Sequence, residues 1–290
     1  MTATSTARVR DYASLIRFSH TVFALPFALI ALFVATDGAP GLVLLLQIVT
    51  AMVFARSAAM AFNRWLDRDI DARNPRTAAR EIPRGVISAR AAMAFTIACS
   101  VGFLGVAASL GEHCFWLAWP TLGVLLGYSY AKRFTAAAHL WLGIALGLAP
   151  PAAWVAAVGG VDASVVPAMV LGGAVAVWVA GFDVLYACQD LEFDRSSGLR
   201  SIPVALGVRG ALRAARILHV AALVGFGTFG VLAGLGLPYA VGGFVAAAFL
   251  VVEHRILRAD DLSRIPMAFF TMNGLVALVL LAATLIDVYC

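Results

Sequence analysis

The chain has 290 residues, of which 62% are apolar and 13% charged, with a formal net charge of +5. Charged residues make up about half the usual quarter of a soluble domain, and the mean hydropathy is +0.92. These figures exclude a soluble globular domain, a disordered chain and a nucleic-acid binder, and leave an integral membrane protein with many spans.

About 20 mostly apolar residues cross about 30 Å of hydrocarbon. In chain order the sequence predicts nine such helices, at roughly 15–35, 42–64, 89–110, 115–132, 137–157, 165–187, 211–234, 238–256 and 266–288. The first is too long for a signal core and lacks a clear small-residue cleavage site, so it reads as a span. Pro120 interrupts the fourth, and a run of small residues the eighth. Connections are short. The expected fold is an all-α polytopic bundle of nine transmembrane helices, forming one membrane domain over 1–290. Cys99, Cys114, Cys188 and Cys290 are scattered and make neither a zinc pattern nor a disulfide framework.

With the N-terminus inside, all 21 basic residues fall in or beside segments on one face. Only Asp37, Glu112, Asp162 and Asp287 fall on the other. This is the positive-inside pattern without exception. A missed or extra span would divide the basic residues between faces. The expected location is therefore the bacterial cytoplasmic (inner) membrane, with the basic face and the N-terminus on the cytoplasmic side. The net charge records orientation: 21 basic and 12 acidic residues inside, four acidic outside.

The inside acids gather in two places. One is Asn63, Asp67, Asp69 and Asp71, where span two leaves the membrane; the other is Asp183, Asp190, Glu192 and Asp194, where span six does. At about 100° per residue, Asn63, Asp67 and Asp71 lie within about 80° of one another on a helix, with Asp69 turned away. Asp183, Asp190 and Asp194 lie within about 40°, with Tyr186 bordering them and Glu192 opposite. Stacked carboxylates at a membrane boundary are costly unless cations neutralise them. Several oxygens at helical spacing suit Mg²⁺, which keeps waters and bridges to substrate phosphates. Surrounding arginines can neutralise a phosphate from the other side. Two stripes in parallel placement therefore read as a Mg²⁺–diphosphate site. A salt-bridged helix end that only fixes topology is the competing reading for either stripe alone. Each stripe is followed by Arg-x-Ile-Pro and a glycine: Arg80 to Pro83 with Gly85, then Arg200 to Pro203 with Gly207. That parallel suggests two related halves, roughly 1–135 and 136–290, meeting at a shared site.

These residues resemble the UbiA-type intramembrane prenyltransferases over nearly the whole chain. The family's first motif appears as Asn63, Asp67 and Asp71, and its second as Asp190 and Asp194, preceded by Asp183 and Tyr186. Its Tyr-x-x-x-Lys motif appears as Tyr128 to Lys132. Arg64 stands where many relatives have Asp, which removes one metal ligand. The segments Phe18 to Pro26, Ala61 to Arg64, Asn74 to Thr77 and Tyr128 to Phe134 look like the 4-hydroxybenzoate polyprenyltransferase branch. Some members of that branch serve menaquinone synthesis with 1,4-dihydroxy-6-naphthoate as acceptor.

The resemblance implies Mg²⁺-dependent transfer of a polyprenyl group from polyprenyl diphosphate to an aromatic acceptor in respiratory quinone biosynthesis. On this reading Asn63, Asp67 and Asp71 hold one Mg²⁺, and Asp190 and Asp194 the other. Lys132 and Arg200, then Arg56 and Arg76, clamp the diphosphate. Tyr128 and Tyr186 face the allylic cation or anchor the interface. Asp183 is left with three roles open: accepting the ring proton, orienting the acceptor or holding metal. Small residues such as those in Leu142 to Gly147 and Val170 to Ala174 read as close helix packing ahead of a tunnel. His20 reads as a packing or interface residue, and Asn273 as one member of an interhelical hydrogen bond. A transporter is the main rival, but it would favour charges near the midplane, whereas these lie at one face.

Overall fold

The computed structural model of the chain describes residues 9–15 and 23–290. Arg8, Arg17 and His20 lie outside the described residues. The described part is helical, with no strand among its residues. A short α1 (Val9–Leu15) is followed by α2 (Leu25–Ala35), α3 (Leu42–Leu66), α4 (Arg68–Arg73), α5 (Ala89–Ser109) and α6 (Glu112–Gly127). Then come α7 (Ala138–Gly147), α8 (Ala149–Val158), α9 (Val166–Ala187), α10 (Leu191–Ser196), α11 (Ile202–Leu232) and α12 (Leu237–Ile256). The last are α13 (Ile265–Met267), a π-helical turn over Ala268–Met272, and α14 (Asn273–Tyr289).

Among the described residues, seven helical stretches are long and apolar enough to cross a membrane: Leu42–Leu66, Ala89–Ser109, Ala138–Val158, Ala163–Ser196, Ile202–Leu232, Leu237–Ile256 and Ile265–Tyr289. The chain is an integral membrane protein. The first and fourth predicted spans are occupied by α2, 11 residues, and α6, 16 residues. At 1.5 Å per residue these run about 16 and 24 Å, and α6 continues into a 3-10 turn over Tyr128–Arg133. The described helices are compatible with a nine-helix bundle.

Two predicted elements differ in shape. The fifth span divides at Leu148, because Pro150 and Pro151 lack amide hydrogens and crowd the preceding carbonyls. The seventh begins at Ile202 and bends at Gly207, whose φ of 68° is costly for any residue with a Cβ.

The middle of the bundle is α9, which packs against α7 on one side and α11 on the other. Around it α3 pairs with α5, α12 with α14, and α2 with α8. Trp178, Phe27, Phe226 and Phe229 fill the core, with Phe27 and Phe226 stacked at 5.5 Å between centroids. The α7–α9 crossing depends on glycine. A Cβ at Gly143 would fall inside the contact shell of the Ala176 carbonyl, and one at Gly147 inside that of the Gly172 carbonyl. The small residues here do pack helices, as expected. Asn273 makes its interhelical bond too: its Nδ2 donates to Glu253 Oε1 at 3.0 Å and to the Ala268 carbonyl at 3.0 Å, satisfying the π turn.

Candidate active site

The ends of α3 and α9 do not stay regular. α3 stops at Leu66, and Asp67 leaves the helical region before α4 begins. α9 stops at Ala187, and a 3-10 turn over Cys188–Asp190 leads into α10. The two stripes were expected on continuous helices; each is instead broken by a hinge. Those hinges fold both clusters toward one cavity of about 240 Å³ between the helix ends.

All the sequence-predicted site residues except Arg56 and Arg200 line that cavity. Asp71, Asp190 and Asp194 are buried, and Asp69 and Glu192 are exposed, as the helical geometry required. Each motif carboxylate faces a cation. Arg133 Nη2 donates to Asp67 Oδ1 at 2.8 Å. Arg80 Nη1 donates to both Asp71 oxygens at 2.7 Å. Arg76 holds Asp190 with two nitrogens, the Nε to Oδ1 contact being 2.8 Å. Lys132 Nζ lies 3.9 Å from Asp194 Oδ2. Asn63 Nδ2 donates to Asp67 Oδ2 at 3.1 Å, and Asn74 Nδ2 to Asp190 Oδ1 at 3.1 Å.

The electrostatics follow from these contacts. Burial pushes the Asp67 carboxyl above its ordinary value, and Arg133 only partly offsets this. Burial lowers the Arg76 guanidinium, but its bonds to Asp190 outweigh this and leave it above its ordinary value. Among the described residues, no three acidic, histidine or cysteine side chains converge tightly enough to hold an ion as they stand. The donor set nevertheless fits a hard cation. It is all oxygen, and Asp194 Oδ2 is buried without a hydrogen-bond partner.

Arg200 takes a different place. Its Nη1 donates to the Phe134 carbonyl at 2.8 Å and its amide to the Lys132 carbonyl at 2.8 Å, so it ties down the Tyr128–Arg133 turn from outside the cavity. The two Arg-x-Ile-Pro arginines thus do different work, since Arg80 clamps Asp71. Arg56 lines a second, apolar cavity, which shares Met60, Tyr128 and Leu142 with the first. A third cavity shares Met52, Thr121, Ala149 and Ala152 with the second and reaches Leu110 and Cys114. From Tyr128 to Cys114 along α6 is about 20 Å at 1.5 Å per residue. One side of α7 and α8 (Leu142, Ala145, Leu146 and Ala149) lines this path, while Gly143 and Gly147 pack on α9. The segment that reads as packing ahead of a tunnel packs on α9 with one face and lines apolar space with the other.

Some site residues carried no decisive signal. Arg80 and Arg133 belong to the arginine shell, and Asn74 to the Asn74 to Thr77 segment, but no spacing names their partners. Phe269 lines the cavity from the π turn, its ring 4.5 Å from that of Tyr186. His139 is fully buried, with Nδ1 2.6 Å from Asp183 Oδ2. Its partner lies 44 residues away in sequence, and only the tertiary crossing of α7 and α9 brings them together.

The family model described as the UbiA prenyltransferase family matches residues 24–275. A Nitrosospira multiformis protein named 4-hydroxybenzoate octaprenyltransferase is 30% identical over 273 residues, covering 93% of each chain. Among solved structures, the apo UbiA homolog from Aeropyrum pernix K1 superposes with a TM-score of 0.84 at 35% identity, covering 92% of this chain and 98% of that one. The Archaeoglobus fulgidus UbiA homolog bound to GPP and Mg²⁺ shares the fold at a TM-score of 0.75 and 22% identity, over 97% of this chain and 100% of that one.

Proposed function

Since the chain belongs to the UbiA prenyltransferase family, we propose that it transfers a polyprenyl group from polyprenyl diphosphate to a hydroxylated aromatic acid of the 4-hydroxybenzoate type. The observation that carries this reading is a charged cavity, lined by both acidic clusters, beside two apolar cavities that follow one another through shared lining residues over about 20 Å. A polyprenyl diphosphate has that same division: one highly charged end and one long hydrocarbon.

Asn63, Asp67 and Asp71 would hold one Mg²⁺, and Asp190 and Asp194 a second; the Archaeoglobus fulgidus homolog of the same fold binds GPP and Mg²⁺. Magnesium at those residues would neutralise the charge that develops on the departing diphosphate. The chain's own cations do the rest. Arg76, Arg80, Arg133 and Lys132 already stand within reach of the carboxylates. They can turn to diphosphate oxygens as those carboxylates engage metal. Tyr128 lines both the charged and the apolar cavity and Tyr186 the charged one; their ring faces can stabilise an allylic cation formed there. The apolar walls exclude water that would otherwise capture that cation. The basic face and the cavity then belong on the cytoplasmic side of a bacterial inner membrane, by the positive-inside bias.

The test is a side-by-side assay. Purified protein with Mg²⁺ and a polyprenyl diphosphate is offered 4-hydroxybenzoate and 1,4-dihydroxy-6-naphthoate, with products read by mass spectrometry. Prenylated 4-hydroxybenzoate is the expected product. Prenylation of the naphthoate alone would keep the chemistry and move the protein to menaquinone synthesis. Prenylation of neither would refute the reading.

A further inference from the structure

Asp183 stands apart from the other cavity carboxylates in both depth and partner. It precedes Asp190 by seven residues, about 10 Å along α9. Its Oδ2 is already engaged by His139 Nδ1 at 2.6 Å.

The state of His139 follows from the start of α11. The first amides of a helix have no intrahelical acceptor, and the Ile202 amide donates to His139 Nε2 at 3.3 Å. An amide can only donate, so Nε2 accepts and is unprotonated. The proton of the neutral imidazole must then sit on Nδ1, which donates to Asp183. His139 is held in this tautomer with no exposure, and the glycine crossing of α7 on α9 sets the distance. The arrangement leaves Asp183 Oδ1 for the cavity, one level deeper than the carboxylates assigned to the diphosphate. Tyr186 and Phe269, whose rings are 4.5 Å apart, line the same cavity and offer an aromatic wall to an acceptor ring.

The geometry points to Asp183 as the catalytic residue that accepts the ring proton, with His139 as its positioning residue. This rests on the prenyl-transfer reading above. In the step, the prenyl C1–oxygen bond breaks and its electron pair leaves with diphosphate. A ring carbon beside the acceptor hydroxyl forms the new bond to C1. The C–H bond at that carbon then breaks, its electrons restore the aromatic ring, and the proton passes to Asp183 Oδ1 and onward to water in the cavity. His139 keeps Asp183 in place between turnovers.

The test uses 4-hydroxybenzoate deuterated at the positions beside its hydroxyl. Wild-type protein should show almost no isotope effect on kcat, because proton removal is fast. D183N should lose kcat on the order of 10²–10⁴-fold, with KM for both substrates nearly unchanged and a primary isotope effect exposed. H139A should lose less, on the order of 10–100-fold, and show the same isotope effect. H139N keeps an N–H near the Nδ1 position and should recover most of the loss. Unfolding midpoints in detergent check that each variant is folded. A folded D183N with full turnover overturns the proposal. So does a loss with no isotope effect in both D183N and H139A, or a raised acceptor KM with unchanged kcat, which would mean orientation. A wild-type protein that prenylates no acceptor overturns the parent reading instead.

Discussion

Arg76 joins the two halves of the site, and its removal should be felt well beyond the diphosphate. It enters from the loop after α4, grips Asp190 with two nitrogens and donates from Nη1 to the Tyr186 hydroxyl at 2.9 Å. Breaking a fully buried pair costs about 3–5 kcal/mol, because one charge is left unpaired. Here the Asp190 side chain is 7% exposed and that of Arg76 29%. Asn74 still donates to Asp190 after the loss. These two facts reduce the expected cost of R76A to about 2 kcal/mol. D190N removes the charge that R76A would strand, so the double variant should be little worse than either single one. The coupling energy should be about 1–2 kcal/mol. The assay is a cycle of the four proteins unfolded by SDS titration from mild detergent micelles, followed by tryptophan fluorescence. Additivity within about 0.5 kcal/mol would mean the pair is not energetically joined, and the reasoning would fail.

Three further outcomes follow from the same contacts. D67A and D190A should each lose turnover by on the order of 10²-fold or more while remaining extractable and folded; full activity in either would remove that residue from the site. G143V should force α7 away from the Ala176 carbonyl and cost about 1–3 kcal/mol, read as a lowered unfolding midpoint, and an unchanged midpoint would contradict the packing described. A149F narrows the point where the second and third cavities meet. Its kcat/KM for a long polyprenyl diphosphate should fall about tenfold or more while that for geranyl diphosphate holds, and an equal loss for both would disconnect the apolar path from the substrate tail.

Much of this architecture was legible in the sequence because bilayers impose simple rules. Apolar length and basic-residue asymmetry are one-dimensional signals, and they gave the bundle and its expected orientation. The acidic stripes were legible for a related reason. Helical spacing alone put Asp71 and Asp194 on the buried side and left Asp69 and Glu192 exposed. What escaped depended on contacts between distant segments. Nothing local to His139 announces Asp183, and nothing local to Arg200 shows that it would bind the Phe134 carbonyl instead of facing the cavity. The hinges at Asp67 and Cys188–Asp190 were also hidden, since neither carries proline or glycine. Leu142 to Gly147 has two faces in different surroundings, and composition alone ranks packing above a tunnel without dividing the faces between them.

The most direct test of the central claim is the stoichiometry of the reaction itself. Protein in liposomes, supplied with Mg²⁺, polyprenyl diphosphate and radiolabelled 4-hydroxybenzoate, should release one diphosphate for each prenylated acceptor, and neither product should form after chelation of the metal. Labelled acceptor accumulating unmodified inside the liposomes, without diphosphate release, would contradict the account and make the cavity a transport path.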